Sequence, residues 1–204
     1  MSILSKQSDK KGTPADLLVV GLGNPGTEYE GTRHNVGAEV VHIFAQRFGV
    51  SLKKSKYRCL LAGLSVEGKK IVLAFPLTFM NNSGEAVSRL VKTFGIKKSE
   101  QILVVHDELD LEVGVVRLKS GGGMAGHNGL KSIKQHINSA DFLRLRIGID
   151  RPAHPDHKVS DYVLRRPSKS EQPDIKNSLD KATAALELFV EQGLDKAMVT
   201  VNQR

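Results

Sequence analysis

Short apolar runs alternate with amphipathic stretches along nearly the whole chain, and that alternation most restricts the fold. Leu17-Leu18-Val19-Val20 is a continuous apolar run, the pattern of a strand covered on both faces. It ends in the turn Gly21-Leu22-Gly23-Asn24-Pro25-Gly26. Val36, Val40, Ile43, Phe44 and Phe48 then recur at helical spacing, and Gly49 closes the helix. A strand feeding a helix, repeated, predicts an α/β domain.

The later segments complete the pattern. Cys59 to Val66 and Lys70 to Phe75 flank Glu67-Gly68-Lys69, a hairpin signal. Asn82, with Glu85 three residues on, predicts a capping box for a helix carrying Val87, Leu90, Val91 and Phe94, ended by Gly95. Ile102 to Val105, Val113 to Lys119 and Leu143 to Ile149 read as further strands. In the last, Leu143, Leu145, Ile147 and Ile149 alternate with Arg144 and Arg146, which predicts both arginines on one face, away from the core. Ser168, Glu171 and Pro173 open a final helix bearing Ile175, Leu179, Ala182, Leu186 and Phe189. The sequence shows no repeat and no interdomain linker. A hairpin combined with strand-helix units predicts a single α/β domain with a mixed central sheet flanked by helices, over residues 16–204. Residues 1–15, mostly polar, read as a flexible tail.

At 204 residues the chain is long enough to bury a core, and 40% hydrophobic against 25% charged residues excludes wholesale disorder. No apolar run is long enough to span a bilayer, and the first residues lack the apolar stretch of a secretory signal. The single cysteine, Cys59, suits a reducing compartment and sits in an apolar run as a small core residue. A cytoplasmic protein is therefore expected, away from membranes. The net charge of +8 favours a polyanionic partner. From Gly114 to Arg146 there are six cations (Arg117, Lys119, Lys131, Lys134, Arg144, Arg146) and one anion, Asp141, a local excess of five.

Gly21 to Gly26 also spells the dinucleotide-binding pattern G-x-G-x-x-G. That pattern works by opening a helix at once, so that the helix N-terminus meets the pyrophosphate. Here Pro25 and Gly26 prolong a turn, helical periodicity starts only near Val36, and the next strand enters a hairpin. A nucleotide-dependent enzyme is thus a distant alternative.

Three polar clusters follow strand-like runs: Asn24 to Asn35, Pro76 to Asn82 and His106 to Asp110. That rim is where α/β sheets bind ligands. A fourth, Gly121 to Gly129, is so glycine-rich that its backbone must turn sharply or approach a ligand closely. Asn128 in it is placed to cap the helix carrying Leu130, Ile133 and Ile137.

These residues resemble the bacterial-type peptidyl-tRNA hydrolases. Gly21 to Gly26, Tyr29, Thr32-Arg33-His34-Asn35 and Gly37 are similar to the first signature of that family. Phe79-Met80-Asn81, His106-Asp107-Glu108-Leu109-Asp110, Gly126-His127-Asn128-Gly129 and Arg144 to Ile149 follow as further blocks in the same order. Met124-Ala125 departs from the pattern, which carries more histidine or glycine there. The resemblance implies hydrolysis of the ester between a peptide and tRNA, with His34 as base, Asp107 as its partner, and Asn24, Asn81 and Asn128 as positioning amides. It implies Tyr29 and Phe79 near the tRNA end, phosphate contacts near Arg117, Lys119 and Arg146, and no metal or cofactor. A monomer is expected.

The chemistry is coherent on its own terms. An ester has a reasonable leaving group, so one histidine activating water suffices without a nucleophilic Ser or Cys. His34 precedes a helix whose dipole disfavours imidazolium, whereas a nearby carboxylate favours it, so the direction of its resting pKa stays open at this level. His42, His136, His154 and His157, and less firmly His106, read as ordinary surface or structural residues; His127 reads as a structural member of the glycine loop. No metal-ligand spacing of the HExxH or paired-cysteine kind occurs. The main competing function is an RNA-binding module without hydrolysis, which could dispense with His34, Asp107 and the asparagines.

Overall fold

In the computed structural model, which describes residues 13–154 and 156–203, consecutive residues of the first strand enter different cores. Leu17 and Val19 pack into one cluster with Val40, Phe44, Leu179 and Leu186. Leu18 and Val20 pack into another with Val87, Leu90, Leu130 and Ile133. The strand is covered on both sides, as its unbroken apolar run predicts. Each fully buried aliphatic side chain of this kind contributes roughly 1.5–3 kcal/mol.

Among the described residues, β1 (Leu17–Gly21), β2 (Lys53–Lys54), β3 (Cys59–Val66), β4 (Lys69–Pro76), β5 (Ile102–Glu108), β6 (Val116–Ser120) and β7 (Leu143–Gly148) form one sheet, ordered β2-β3-β4-β1-β5-β7-β6. The inner strands β4, β1, β5 and β7 run parallel. β2 and β3 at one side and β6 at the other pair antiparallel. The sheet is mixed, as expected. Helices α1 (Val36–Arg47) and α5 (Gln172–Gln192) cover one face; α2 (Ser83–Thr93) and α3 (Asn128–Ile137) cover the other. Two shorter helices, α4 (Val159–Val163) and α6 (Leu194–Val201), lie beyond these.

Because β1 leads to β4 on one side and β4 returns across it to β5 on the other, the connections diverge at the C-terminal ends of these strands. Such a switch point opens a crevice. Gly37 fixes how close α1 comes to it: a Cβ there would run into the carbonyl oxygen of Val105. Ala38 N–H donates to Leu22 O (2.9 Å) and Leu22 N–H to Val105 O (3.0 Å), tying the helix start to the ends of β1 and β5.

Several local expectations are corrected. The hairpin turn is two residues, Glu67 (φ 48°) and Gly68 (φ 76°), so Lys69 already pairs with Val66. β5 continues through His106, Asp107 and Glu108, which were expected beyond the strand. β6 starts at Val116 rather than Val113. The Asn82 cap does not form: a 3-10 turn, Met80–Asn82, runs straight into α2, leaving Asn82 near-helical, and Ser83 Oγ donates to Met80 O (2.8 Å). Ala15, assigned to the tail, is buried and donates its N–H to Phe94 O (2.9 Å). The rest of the expected tail up to residue 12 lies outside the described residues.

The largest correction is Arg144. It shares a face with Arg146, yet it is only 1% exposed. The glycine-rich loop folds over that face, and the guanidinium donates to Gly123 O (2.5 Å), Gly122 O (2.7 Å) and Ala140 O (3.3 Å). It also lies 4.8 Å from the Phe142 ring centroid. At the end of α6, Asn202 Nδ2 donates to Leu118 O (2.8 Å), and its Oδ1 accepts from Leu118 N–H (2.9 Å).

Candidate active site

His34 sits in a 3-10 turn, Arg33–Asn35, immediately before α1. Asp107 is the penultimate residue of β5, buried at the end of that strand. The Gly37 contact brings the two elements together. His34 Nδ1 lies 2.9 Å from Asp107 Oδ1 and 3.0 Å from Oδ2. A carboxylate accepts, so Nδ1 carries the proton and Nε2 keeps its lone pair.

Burial lowers the His34 pKa, but the charge and hydrogen bond of Asp107 outweigh it, and the ring titrates above its ordinary value. That decides the direction left open by the sequence. Burial alone would raise the Asp107 carboxyl; His34, His127 and their hydrogen bonds instead hold it well below the usual carboxylate range. Asp107 is thus favoured as the anion.

Asn24 is buried just past β1 and held at three points. Its backbone N–H donates to Asn35 Oδ1 (2.8 Å), and Asn35 Nδ2 donates to Asn24 O (3.0 Å). Met80 N–H donates to Asn24 Oδ1 (2.8 Å). With its acceptor engaged, Asn24 offers donor hydrogens from Nδ2. Asn81 is exposed in the turn after β4. Phe79, 55% exposed, meets Tyr29 edge to face at 6.3 Å.

A cleft of about 360 Å³ opens beside the histidine, lined by His34, Asp107, His127, Asn128, Leu109, Val159 and Val163, among others. Asn128 is the first residue of α3, not its cap. The cap is His127, whose Nδ1 accepts from Gly129 N–H (3.1 Å) and Leu130 N–H (3.4 Å). Its Nε2 lies 3.0 Å from Asp107 Oδ1. Asparagine is the favoured capping type, so sequence reasoning chose the neighbour; a histidine directly before a helix was the available signal.

The basic residues Arg117, Lys119 and Arg146 also come together. Arg117 stands opposite Arg146 across β6 and β7, and Lys119 opposite Arg144. Arg146 Nε donates to Glu108 Oε2 (2.9 Å). Burial, with Arg146 and Arg144 close by, lowers the Lys119 pKa. On the opposite side of His34, Arg33 donates to Glu171 Oε1 (2.6 Å) and to the carbonyls of Arg165 and Arg166 (both 3.3 Å). It anchors the segment after α4.

Among the described residues, His34, Asp107 and His127 are the group whose ligand atoms come close enough to surround an ion, within 4.8 Å of one another. In this structure His34 Nδ1 and His127 Nε2 both lie within hydrogen-bond distance of the Asp107 carboxylate. Cys59 is buried and its thiol is pushed up to about 12 by burial, against a lowering by Arg89, which leaves it a poor nucleophile. No helix among the described residues is long and apolar enough to cross a membrane.

Comparison with known proteins agrees with the geometry. The profile of the family described as peptidyl-tRNA hydrolase matches residues 18–204. A peptidyl-tRNA hydrolase of Francisella tularensis subsp. novicida (strain U112) is 46% identical over 186 residues, covering 91% of this chain and 96% of the relative. One from Haemophilus influenzae (strain 86-028NP) is 47% identical over 187 residues, 91% and 95% of the two chains. The crystal structure of peptidyl-tRNA hydrolase from Acinetobacter baumannii superposes with a TM-score of 0.85 at 41% identity, covering 93% of this chain and 96% of that one. Sequence and fold agree over nine-tenths of the length, and the chain belongs to the peptidyl-tRNA hydrolase family.

Proposed function

We propose that the protein hydrolyses the ester between a peptide and tRNA with His34 as the general base and no covalent intermediate. Membership of the family supplies the reaction and its substrate. The observation that carries the mechanism is the His34–Asp107 bond: it commits Nδ1 to the carboxylate and leaves Nε2 to take a proton from water. Hydroxide adds to the ester carbonyl. The tetrahedral intermediate then collapses, and the ribose oxygen leaves with the proton returned by His34. Asp107 supports the imidazolium that forms in between.

Asn24, presenting donors only, suits a carbonyl oxygen on which charge develops. Asn81, next to Met80, and Asn128, at the cleft, are the further amides of this reading. The apolar wall of Leu109, Val159 and Val163 suits a peptide side chain. The Tyr29–Phe79 pair suits stacking against the tRNA end, and Arg117, Lys119 and Arg146 suit its phosphates. We read the protein as a cytoplasmic monomer; the unpaired Cys59 fits a reducing compartment, and sedimentation tests the state.

Turnover of an N-acylated aminoacyl-tRNA by parent and His34→Ala tests the core of this reading. Loss of the base should cost roughly 10²–10⁴-fold. Near-parental activity in the variant sinks the mechanism.

A further inference from the structure

Asp107 serves two histidines, and only one of them enters the mechanism above. His127 Nε2 is 3.0 Å from the same Oδ1 that His34 Nδ1 approaches at 2.9 Å. The two rings lie 5.0 Å apart, centroid to centroid. What orients His127 is the start of α3. Two backbone N–H groups, of Gly129 and Leu130, point at its Nδ1 and require a lone pair there. A ring whose Nδ1 accepts carries its proton on Nε2, so His127 can only donate to Asp107. The tautomer is set by helix geometry, twenty residues along the chain from the carboxylate it serves.

We propose that His127 is a positioning residue for this reaction, holding Asp107 through a helix-enforced donor and thereby setting the basicity and orientation of His34. The inference rests on the assignment of His34 as base. Its logic is that of a carboxylate with limited charge to share. A donor on Oδ1 satisfies part of it and pins its rotation, so that His34 meets a fixed acceptor of moderated strength. Without that donor the carboxylate pulls harder on the His34 proton, and the ring titrates higher while its orientation loosens.

Other charged groups around the pair are accounted for. His106 precedes Asp107 on β5, its Nδ1 donates to Asp107 O (2.7 Å), and it meets His127 edge to face. Arg144 is committed to the glycine-loop carbonyls and Arg146 to Glu108. Arg151 at the cleft rim pairs with Asp110 (2.5 Å), and Arg33 with Glu171. None of these supplies a second donor to the Asp107 carboxylate in its place.

Two substitutions separate this role from helix capping. In His127→Asn, Oδ1 can replace Nδ1 as acceptor for the α3 N–H groups, but nothing reaches Asp107. In His127→Gln, the amide hydrogens can reach Asp107, but the cap is lost. Thermal unfolding, kcat and KM on N-acylated aminoacyl-tRNA across pH, and the ¹⁵N NMR titration of His34 should be measured for both. The expected result for His127→Asn is a near-parental melting temperature and KM. Its kcat should fall on the order of ten- to a hundredfold, as when an orienting partner is lost, and His34 should titrate at higher pH. His127→Gln should melt lower yet keep kcat and the His34 titration close to parental. If His127→Asn leaves both kcat and the His34 titration unchanged, or if both variants lose activity only in step with stability, the proposal is overturned. Activity surviving in His34→Ala would instead remove the base assignment, while the NMR titration still reads the coupling to His127.

Discussion

Met80 N–H donates to Asn24 Oδ1 at 2.8 Å, so the turn after β4 fixes the orientation of the Asn24 amide. An asparagine in isolation both donates and accepts. Here Oδ1 already accepts a backbone N–H, which leaves Nδ2 as the donor end. Cells hold aminoacyl-tRNA as well as peptidyl-tRNA, and the two differ at the α-nitrogen, an ammonium in one and a neutral amide in the other. A neutral amide gives the ammonium no counter-charge to pair with.

Asn24→Asp should therefore weaken discrimination. One carboxylate oxygen can keep the Met80 N–H, and the other places an anion where Nδ2 stood. A charged hydrogen bond is worth about 1.5–3 kcal/mol, so the rate on unblocked relative to blocked aminoacyl-tRNA should rise by roughly tenfold or more. Both rates measured side by side decide it; an unchanged ratio means that another residue discriminates.

The pH profile should carry the signature of the His34–Asp107 pair. Burial lowers the His34 pKa but Asp107 outweighs it, so the midpoint for its basic form lies above the ordinary histidine value of 6.5. The acid limb of kcat/KM should accordingly lie above that value. Asp107→Asn removes the charge that raises it, and the limb should move down while the rate falls by at least roughly tenfold. A limb that stays in place would assign it to a different group.

Stability in acid should report on His106. It is buried, and burial, with His127 and Arg144 close by, lowers its pKa to about 3 against a raising effect of Asp107. With the folded value below the unfolded 6.5, its contribution is present above 6.5 and is lost as pH falls toward 3. Urea unfolding of His106→Gln should show a shallower loss between these limits. The slope should shrink by up to about one proton, or about 1.4 kcal/mol per pH unit. Parallel curves for parent and variant would refute this.

The basic edge should act through phosphates. Arg117→Gln with Lys119→Gln should weaken tRNA binding and reduce the slope of log K against log salt by up to about 2. Cleavage of a short substrate without the tRNA body should change little. An unchanged slope would place the tRNA elsewhere on the surface.

How much of this was legible beforehand depends on the range of the interaction. The Leu17 strand, the α1 periodicity and the hairpin are local patterns, and they appear within a residue or three of expectation. The apolar runs mark where the polar clusters holding Asn24, His34 and Asp107 lie, since parallel strands bring such ends to one rim, but the choice of these three residues within the clusters came from the family resemblance. Arg144 was misread because alternation tells which residues share a face, not whether a loop twenty residues away will cover it. His127 was passed over for Asn128 because capping preference is a local average; here a distant carboxylate selects the ring. The Asn82 box fails for a similar reason, since the turn before α2 answers to Asn24 through Met80.

One consequence reaches beyond the active site. β6 is the last strand of the sheet, and its outer backbone would accept a strand from another molecule. Asn202 answers the Leu118 N–H and C=O together with a single side-chain amide, as a paired strand would. The chain thus closes its own open edge with a residue at its far end. A protein truncated before Asn202 would keep its crevice and its histidines, but would expose a template for intermolecular pairing on the strand that carries Arg117 and Lys119.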